Sequence, residues 1–134
     1  MPSFLLAYLG ALVGLLLPDA VWLGIVMGPV YTSALGHLLR PEPLWAAAVV
    51  FYLVYPVGVV AFGIRAGEPD DGARRVAARG ALFGALAYAT YDLTNLATLR
   101  DWPLHVTVVD IVWGAALTAM SALAGRWLLR RRAR

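Results

Sequence analysis

The chain contains four long apolar runs, separated by short segments that carry most of its charge. The runs lie at about 4–27, 44–64, 76–99 and 104–129. Each is long enough for an α-helix to cross the hydrocarbon core of a bilayer, which takes about 20 residues. The chain is 61% hydrophobic and 14% charged, whereas soluble domains are about 45–50% apolar and about 25% charged. The sequence therefore predicts an all-α integral membrane protein, a single domain over residues 1–134 with four transmembrane helices in a compact bundle.

The arginines predict how the bundle is oriented. The first and third loops carry one each, Arg40 and Arg100. The second loop and the C-terminal segment carry the other nine, namely Arg65, Arg74, Arg75, Arg79, Arg126, Arg130, Arg131, Arg132 and Arg134. Because basic loops stay on the cytoplasmic side, we expect both termini and the second loop in the cytoplasm of a multi-pass protein of the bacterial inner (cytoplasmic) membrane. The first apolar run is too long for a signal peptide, so we expect helix 1 to be retained.

Composition and motifs exclude several classes of chemistry. The absence of cysteine excludes disulfides, thiolate metal sites and cysteine nucleophiles. The arginines flank membrane spans rather than forming a nucleic-acid-binding face, so the bilayer is the expected partner and no nucleic acid is. No zinc-protease, serine-hydrolase or phosphate-loop motif occurs, and no cofactor is implied. The sequence therefore favours a function other than catalysis, and it leaves a catalytic function open. His37 and His105 could join an aspartate at a metal, but scattered histidines favour an interfacial role, and no metal is predicted.

The third apolar run carries a polar face. At 100° per residue, Tyr88, Tyr91, Asp92 and Asn95 fall within about 100° of arc on a helix. A carboxylate in a spanning helix costs about 2.5–3.5 kcal/mol, so Asp92 requires a partner or a role. One such residue alone could simply bond neighbouring helices to each other, together with Thr94 and Asn95.

The other helices bring polar groups to the same depth. Asp19 lies about eight residues from the outer end of helix 1 and Asp92 about seven from that of helix 3, or roughly 10–12 Å. Asp110 lies about six residues into helix 4, and helix 2 brings two tyrosines to this level. No Lys or Arg occurs there. We therefore predict a ligand- or ion-binding pocket in the outer half of the bilayer, with ten candidate residues: Asp19, Trp22, Tyr52, Tyr55, Tyr88, Tyr91, Asp92, Asn95, Asp110 and Trp113.

Proline and small residues predict details of the helices. Pro18 removes a backbone hydrogen bond and predicts a kink in helix 1. Small residues follow Asp110 along one face of helix 4, and Gly80 and Gly84 share a face of helix 3, so each of these faces is expected to let another helix approach closely.

The loops carry weaker signals. Loop 1, residues 28–43, is expected to be an interfacial segment or a lid over the outer mouth. Loop 2, residues 65–75, is predicted to be an ordinary solvated turn, and loop 3 a tight turn at 100–103. Trp45, Trp102 and Trp127 lie near helix ends, where indoles favour the headgroup zone.

Several of these residues also form a family pattern. The stretch 91–99 reads Tyr-Asp-Leu-Thr-Asn-Leu-Ala-Thr-Leu and is followed by Trp102-Pro103 and by Asp-Ile-Val-Trp-Gly at 110–114. With Asp19, Trp22, Tyr31 and the segment 51–58, it resembles a bacterial family of small membrane proteins, domain of unknown function twenty-one seventy-seven. The resemblance implies four helices and an inner-membrane location. It implies no activity.

Three functions are compatible with this pattern. The pocket could bind or translocate a small ligand, proton or cation, which for so small a chain implies a homo-oligomer or larger assembly. The polar face could instead pair with basic residues of a larger membrane complex, of which the chain is an accessory subunit. The carboxylates could also act as general acid and base in a membrane-embedded enzyme of lipid or isoprenoid metabolism.

Overall fold

The computed structural model describes residues 2–133 and is all-helical over that range. Its five α-helices are α1 Ser3–Val21, α2 Gly28–Leu35, α3 Trp45–Gly58, α4 Ala73–Thr98 and α5 Leu104–Arg131. The α-helical class is confirmed. The short helix α2 occupies the first part of loop 1, and Arg134 lies outside the described residues.

Three helical segments are long and apolar enough to cross a membrane: Ser3–Val26, Trp45–Ile64 and Leu104–Arg131. The helix α4 is not among them. Its 26 residues would measure about 39 Å at 1.5 Å per residue, which is sufficient length. The polar residues around Asp92 make it less apolar than the others, so the predicted count of four spans stays a prediction.

Apolar side chains cover the outside of the helices. Large hydrophobic residues are exposed on all four long helices, as shown by Leu17 (64%), Val54 (61%), Leu82 (61%) and Val112 (65%). A soluble monomer rarely exposes apolar surface of such extent, whereas lipid acyl chains are a suitable environment for it. The outer surface thus agrees with a location in a membrane.

Two helices widen into π-helical turns shortly after a proline. The α-helix α1 continues through Pro18 and becomes π-helical over Trp22–Val26, while α3 contains Pro56 and becomes π-helical over Val59–Ile64. Local π geometry lets a proline-containing membrane helix re-form its backbone hydrogen bonds. The predicted kink at Pro18 stays a prediction, and the observed change in helical geometry begins at Trp22.

The helix α5 is the centre of the bundle, because small residues let α1 and α4 approach it closely. The carbonyl oxygen of Ala124 lies 2.7 Å from the position that a Cβ atom on Gly10 would occupy. On the other side, Gly84 packs directly against the backbone of Gly114. The hydroxyl of Ser121 donates a 2.7 Å hydrogen bond to a carbonyl of α1. The small-residue faces of α4 and α5 thus pack closely against each other, a pairing that the sequence pattern did not specify.

The link between α4 and α5 is a tight turn, as predicted. Asp101 has a φ of 61°, a left-handed conformation that aspartate tolerates better than most residues. This reversal sets α4 and α5 side by side, and their polar faces therefore meet near the turn.

Loop 2 is not the ordinary solvated turn that was predicted. Asp71 is buried and pairs with Arg75 at 3.0 Å and with Arg79 at 2.7 Å. Its backbone carbonyl also accepts hydrogen bonds from Arg126 and Arg130 of α5. The prediction failed because it treated the four arginines only as topology signals, whereas they fasten this loop to α4 and α5.

We predict that Gly84→Ala will destabilise the protein and that Gly24→Ala will not. A Cβ atom on Gly84 would overlap the carbonyl of Gly114 and the hydroxyl of Thr118, whereas one on Gly24 meets no atom within 4 Å. Overpacking of this kind costs about 1–3 kcal/mol. Thermal unfolding of the two variants in the same detergent measures the difference. Equal melting temperatures would contradict the described α4–α5 packing.

We also predict that Asp71 makes stability depend on acid pH. Hydrogen bonds from Arg75 and Arg79 hold the pKa of the Asp71 carboxyl below its usual range. A carboxyl with a lowered pKa in the folded state stabilises the protein above its unfolded pKa of about 3.9, and the contribution is lost as the pH falls through the folded value.

The measurement is the melting temperature at about pH 6 and about pH 3, on either side of that value. The wild type should lose more stability over this interval than Asp71→Asn. The variant Asp70→Asn, which changes an exposed neighbour, should behave like the wild type. We call the contacts of Asp71 with Arg75, Arg79, Arg126 and Arg130 the clamp. If the wild type and Asp71→Asn lost the same stability in acid, the clamp would not form.

Candidate functional site

A cavity of about 290 Å³ lies among α1, α2, α4 and α5. Two carboxylates, Asp19 and Asp110, contribute its charged lining. Aromatic side chains form most of the remaining wall: Trp22, Tyr31, Tyr88, Tyr91, Trp102 and Trp113. Three leucines complete it: Leu23, Leu35 and Leu39. The cavity therefore combines negative charge with aromatic surface.

Asp19 connects three helices at one wall of the cavity. It is 5% exposed. One carboxylate oxygen accepts a hydrogen bond from the hydroxyl of Tyr52 on α3, and the other accepts one from the indole Nε1 of Trp113 on α5 at 3.0 Å. Since each carboxylate oxygen can accept two bonds, Asp19 keeps acceptor capacity for a ligand.

Tyr31 connects the short helix α2 to the same site. Its hydroxyl donates to Oδ1 of Asp110 and accepts a 3.1 Å hydrogen bond from the indole of Trp22. The rings of Trp22 and Trp113 stack with centroids 4.2 Å apart and planes within 4°. Through this stack, a continuous series of contacts links Asp19 to Asp110. The widened turn that begins at Trp22 thus supplies one ring of the stack.

Asp92 lies beside Asp110 in the interior of the bundle. It is fully buried, and apart from the neighbouring Asp110 carboxyl no group of the described chain lies within hydrogen-bond reach of its carboxylate oxygens. Its electrostatic neighbour is the Asp110 carboxyl. A buried polar group that loses water without gaining a partner costs about 1–3 kcal/mol, and more when it is charged. Asp92 is therefore the least satisfied polar side chain of the site.

No arginine of residues 2–133 forms an ion pair with these three aspartates. The salt bridges of the described chain join Asp71 to Arg75 and Arg79, outside the cavity. The donors that reach Asp19 and Asp110 are neutral hydroxyl and indole groups. Within the described chain, the negative charge of the site is thus not balanced by protein cations.

The remaining candidates occupy different positions. Tyr52 does not line the cavity but bonds to Asp19, and the hydroxyl of Tyr55 pairs with Oγ1 of Thr118 at 2.8 Å. Asn95 is half-buried outside the lining. Both histidines are exposed and also outside the cavity lining. Over residues 2–133, no group of three or more histidine, aspartate or glutamate side chains is arranged to hold a metal ion.

Two aromatic residues in the wall were missing from the predicted site. Tyr31 was noted only as part of the family pattern, because its loop gave no depth or phase to place it. Trp102 was assigned to the headgroup zone, but the structure places it in the cavity wall, with its ring edge-on to Tyr91 at 5.7 Å. Its proximity to the tight turn was the signal that could have placed it there. Trp45 and Trp127 are exposed, and their headgroup location stays a prediction.

Comparison with known protein families decides what the chain is related to. The model of a family described as predicted membrane protein (DUF2177) matches residues 4–127. The chain belongs to this family. The DUF2177 match confirms the resemblance and includes every candidate residue of the site, but the family description states a membrane location and no activity. No curated protein and no solved structure matches the chain.

We predict that Tyr52→Phe will destabilise the protein more than Tyr8→Phe. The first substitution removes one of the two donors to a buried carboxylate. The second removes a 2.8 Å bond to the backbone carbonyl of Leu53. The expected cost is about 1–3 kcal/mol for Tyr52→Phe and about 0.5–1.5 kcal/mol for Tyr8→Phe.

Both variants lose a single phenolic hydroxyl, so thermal unfolding in one detergent compares them directly. A Tyr8→Phe variant that is as unstable as Tyr52→Phe, or less stable, would contradict the role of Tyr52 as a support for Asp19.

Proposed function

We propose that this membrane protein binds or translocates a small ligand, a proton or a cation in the aspartate-lined cavity. The observation that carries the proposal is the convergence of Asp19, Asp92 and Asp110 with no ion-paired arginine in the described chain. Each of these aspartates costs about 2.5–3.5 kcal/mol of insertion free energy in a spanning segment. A hydrogen bond between membrane helices returns only about 0.6–2 kcal/mol, so helix contacts alone do not account for three of them.

Charge balance supports a positive ligand. Asp92 and Asp110 are neighbouring carboxyl groups, one buried and one half-buried, and the repulsion between two adjacent carboxylates disfavours ionisation of both without compensation. A proton or a bound cation supplies that compensation. Exchange between the two at one site would couple cation binding to proton release.

In this proposal α2 and the residues after it act as a lid over the cavity. Tyr31 and Leu35 of α2 and Leu39 beyond its end contribute to the wall, and the Tyr31 hydroxyl donates a hydrogen bond to Asp110. A cation that binds Oδ1 of Asp110 competes with that hydroxyl for the carboxylate oxygen. We infer that release of Tyr31 from Asp110 accompanies entry of the ligand.

The same proposal includes the arrangement in the membrane. The helix α4 would be the fourth span, with both termini and the arginine-clamped loop 2 on the cytoplasmic side of a bacterial inner membrane. The cavity would then open toward the outer half of the bilayer. Since four helices make a small carrier, a homo-oligomer is part of the proposal.

Two other functions are separate outcomes of the same experiments. As an accessory subunit, the protein would present its aspartates to a partner's basic residues, yet Asp19 already has two internal donors. As a lipid or isoprenoid enzyme, it would use the carboxylates as acid and base. The internal donors favour the binding function over the accessory role.

The test is the thermal stability of the purified wild type and of Asp92→Asn. Melting is followed from about pH 5 to about pH 9, above the usual range for a carboxyl, with sodium, potassium, magnesium or tetramethylammonium chloride. The titratable groups near Asp92 are Asp110 from α5, Tyr31 from α2 and Tyr91, the residue before Asp92 in α4. The control is Asp101→Asn, an exposed aspartate whose left-handed backbone asparagine also tolerates.

The wild type and Asp101→Asn should change their melting temperature with pH or gain several degrees with one cation, as expected for a ligand that binds only the folded state. Asp92→Asn should lose that response. Identical flat profiles for all three proteins would overturn the proposed function and favour a role for Asp92 in helix packing or in contact with a partner.

A further inference from the structure

We propose that the natural ligand of the cavity is a small organic ammonium cation. This inference rests on the proposed function, since it names the chemical class of the ligand for the same site. It is carried by the coincidence of carboxylates and aromatic rings around one space of about 290 Å³.

The aromatic wall is the first argument. Six aromatic side chains line the space, which is open to one side: Trp22, Tyr31, Tyr88, Tyr91, Trp102 and Trp113. A cation over the face of such a ring is attracted by the ring quadrupole, and alkylated ammonium groups are typical ligands of aromatic cages. An aromatic wall also tolerates methyl or methylene groups around the nitrogen, which a shell of oxygen ligands does not.

The available carboxylate is the second argument. Both oxygens of Asp19 already accept a hydrogen bond from the protein. Asp110 accepts one at Oδ1 from Tyr31, and its other polar neighbour in the described chain is the Asp92 carboxyl, which brings no positive charge. Asp110 is half-buried in the cavity wall. It is therefore the expected counter-ion of the ligand, with Asp92 behind it to add negative potential.

Size and ligand number argue against a bare inorganic ion. A water molecule occupies about 30 Å³ of liquid volume, so the cavity accommodates a molecule rather than a single dehydrated ion. Calcium and magnesium bind through about six to eight oxygen ligands in close geometry. The described residues offer no cluster of three acidic or histidine side chains in such an arrangement.

The test compares a cation with a neutral molecule of similar shape. Tetramethylammonium and neopentyl alcohol are titrated into the purified wild type at constant ionic strength, and tryptophan fluorescence reports binding because three indoles line the cavity. We expect saturable binding of tetramethylammonium at least tenfold tighter than that of the alcohol. This comparison requires no variant and therefore does not depend on whether a variant folds.

Matched variants locate the binding site. Asp110→Asn should weaken tetramethylammonium binding at least tenfold, and the exposed control Asp101→Asn should not. Trp102→Leu should weaken it several-fold, whereas Trp127→Leu, which removes an exposed indole outside the cavity, should leave the affinity unchanged. Equal losses in the site variants and their controls would overturn the assignment to this cavity.

The outcomes separate this inference from the proposed function. A melting response to protons or inorganic cations that requires Asp92, without tetramethylammonium binding, would overturn the organic cation and leave the proposed function intact. Equal binding of the alcohol would show an apolar pocket and also overturn it. No binding together with flat melting profiles would overturn both.

Discussion

The structure depends on how buried negative charge is accommodated in an apolar bundle. Asp19 meets this requirement through one tyrosine and one tryptophan, which join α1 to α3 and α5. Asp110 accepts a hydrogen bond from a hydroxyl of α2, whereas the one group of the described chain within hydrogen-bond reach of Asp92 is the Asp110 carboxyl. The three carboxyl groups thus differ in how far the protein satisfies them, and this difference is the basis of the proposed ligand site.

The small residues of α5 make this arrangement possible. Close approach of α4 and α5 at Gly84 and Gly114 brings Asp92 and Asp110 together. The repulsion between the two carboxyl groups is offset by van der Waals packing between the helices. The opposite end of the bundle is fastened by Asp71 and its arginines, away from the cavity. The protein thus places charge-paired residues at one end and uncompensated carboxylates at the other. The first arrangement stabilises the fold, and the second is where we propose that a ligand binds.

The sequence predicted the helices and the meeting of the polar faces, but not the details that depend on tertiary contact. Helical periodicity and distance from the helix end suffice to place Asp92 and Asp110 at a similar depth, because an α-helix has a fixed rise and rotation per residue. Tyr31 could not be placed, since a short helix between spans has neither a fixed depth nor a fixed phase. The clamp at Asp71 was missed for a similar reason: the arginines that reach its carbonyl come from α5, about 55 residues away in the chain. The π turns after Pro18 and Pro56 likewise depend on local hydrogen-bond rearrangement, which a hydropathy pattern does not reveal.

Infrared difference spectroscopy of the protein reconstituted in lipid tests most directly whether the aspartates exchange a proton for a cation. Tetramethylammonium chloride is added at constant pH, and the carboxyl region is compared before and after addition. We predict loss of the C=O band of a protonated carboxylic acid, with gain of carboxylate absorption, in the wild type and in Asp101→Asn but not in Asp92→Asn. An unchanged carboxyl region in the wild type at a concentration where the cation is bound, or the same change in Asp92→Asn, would contradict the account.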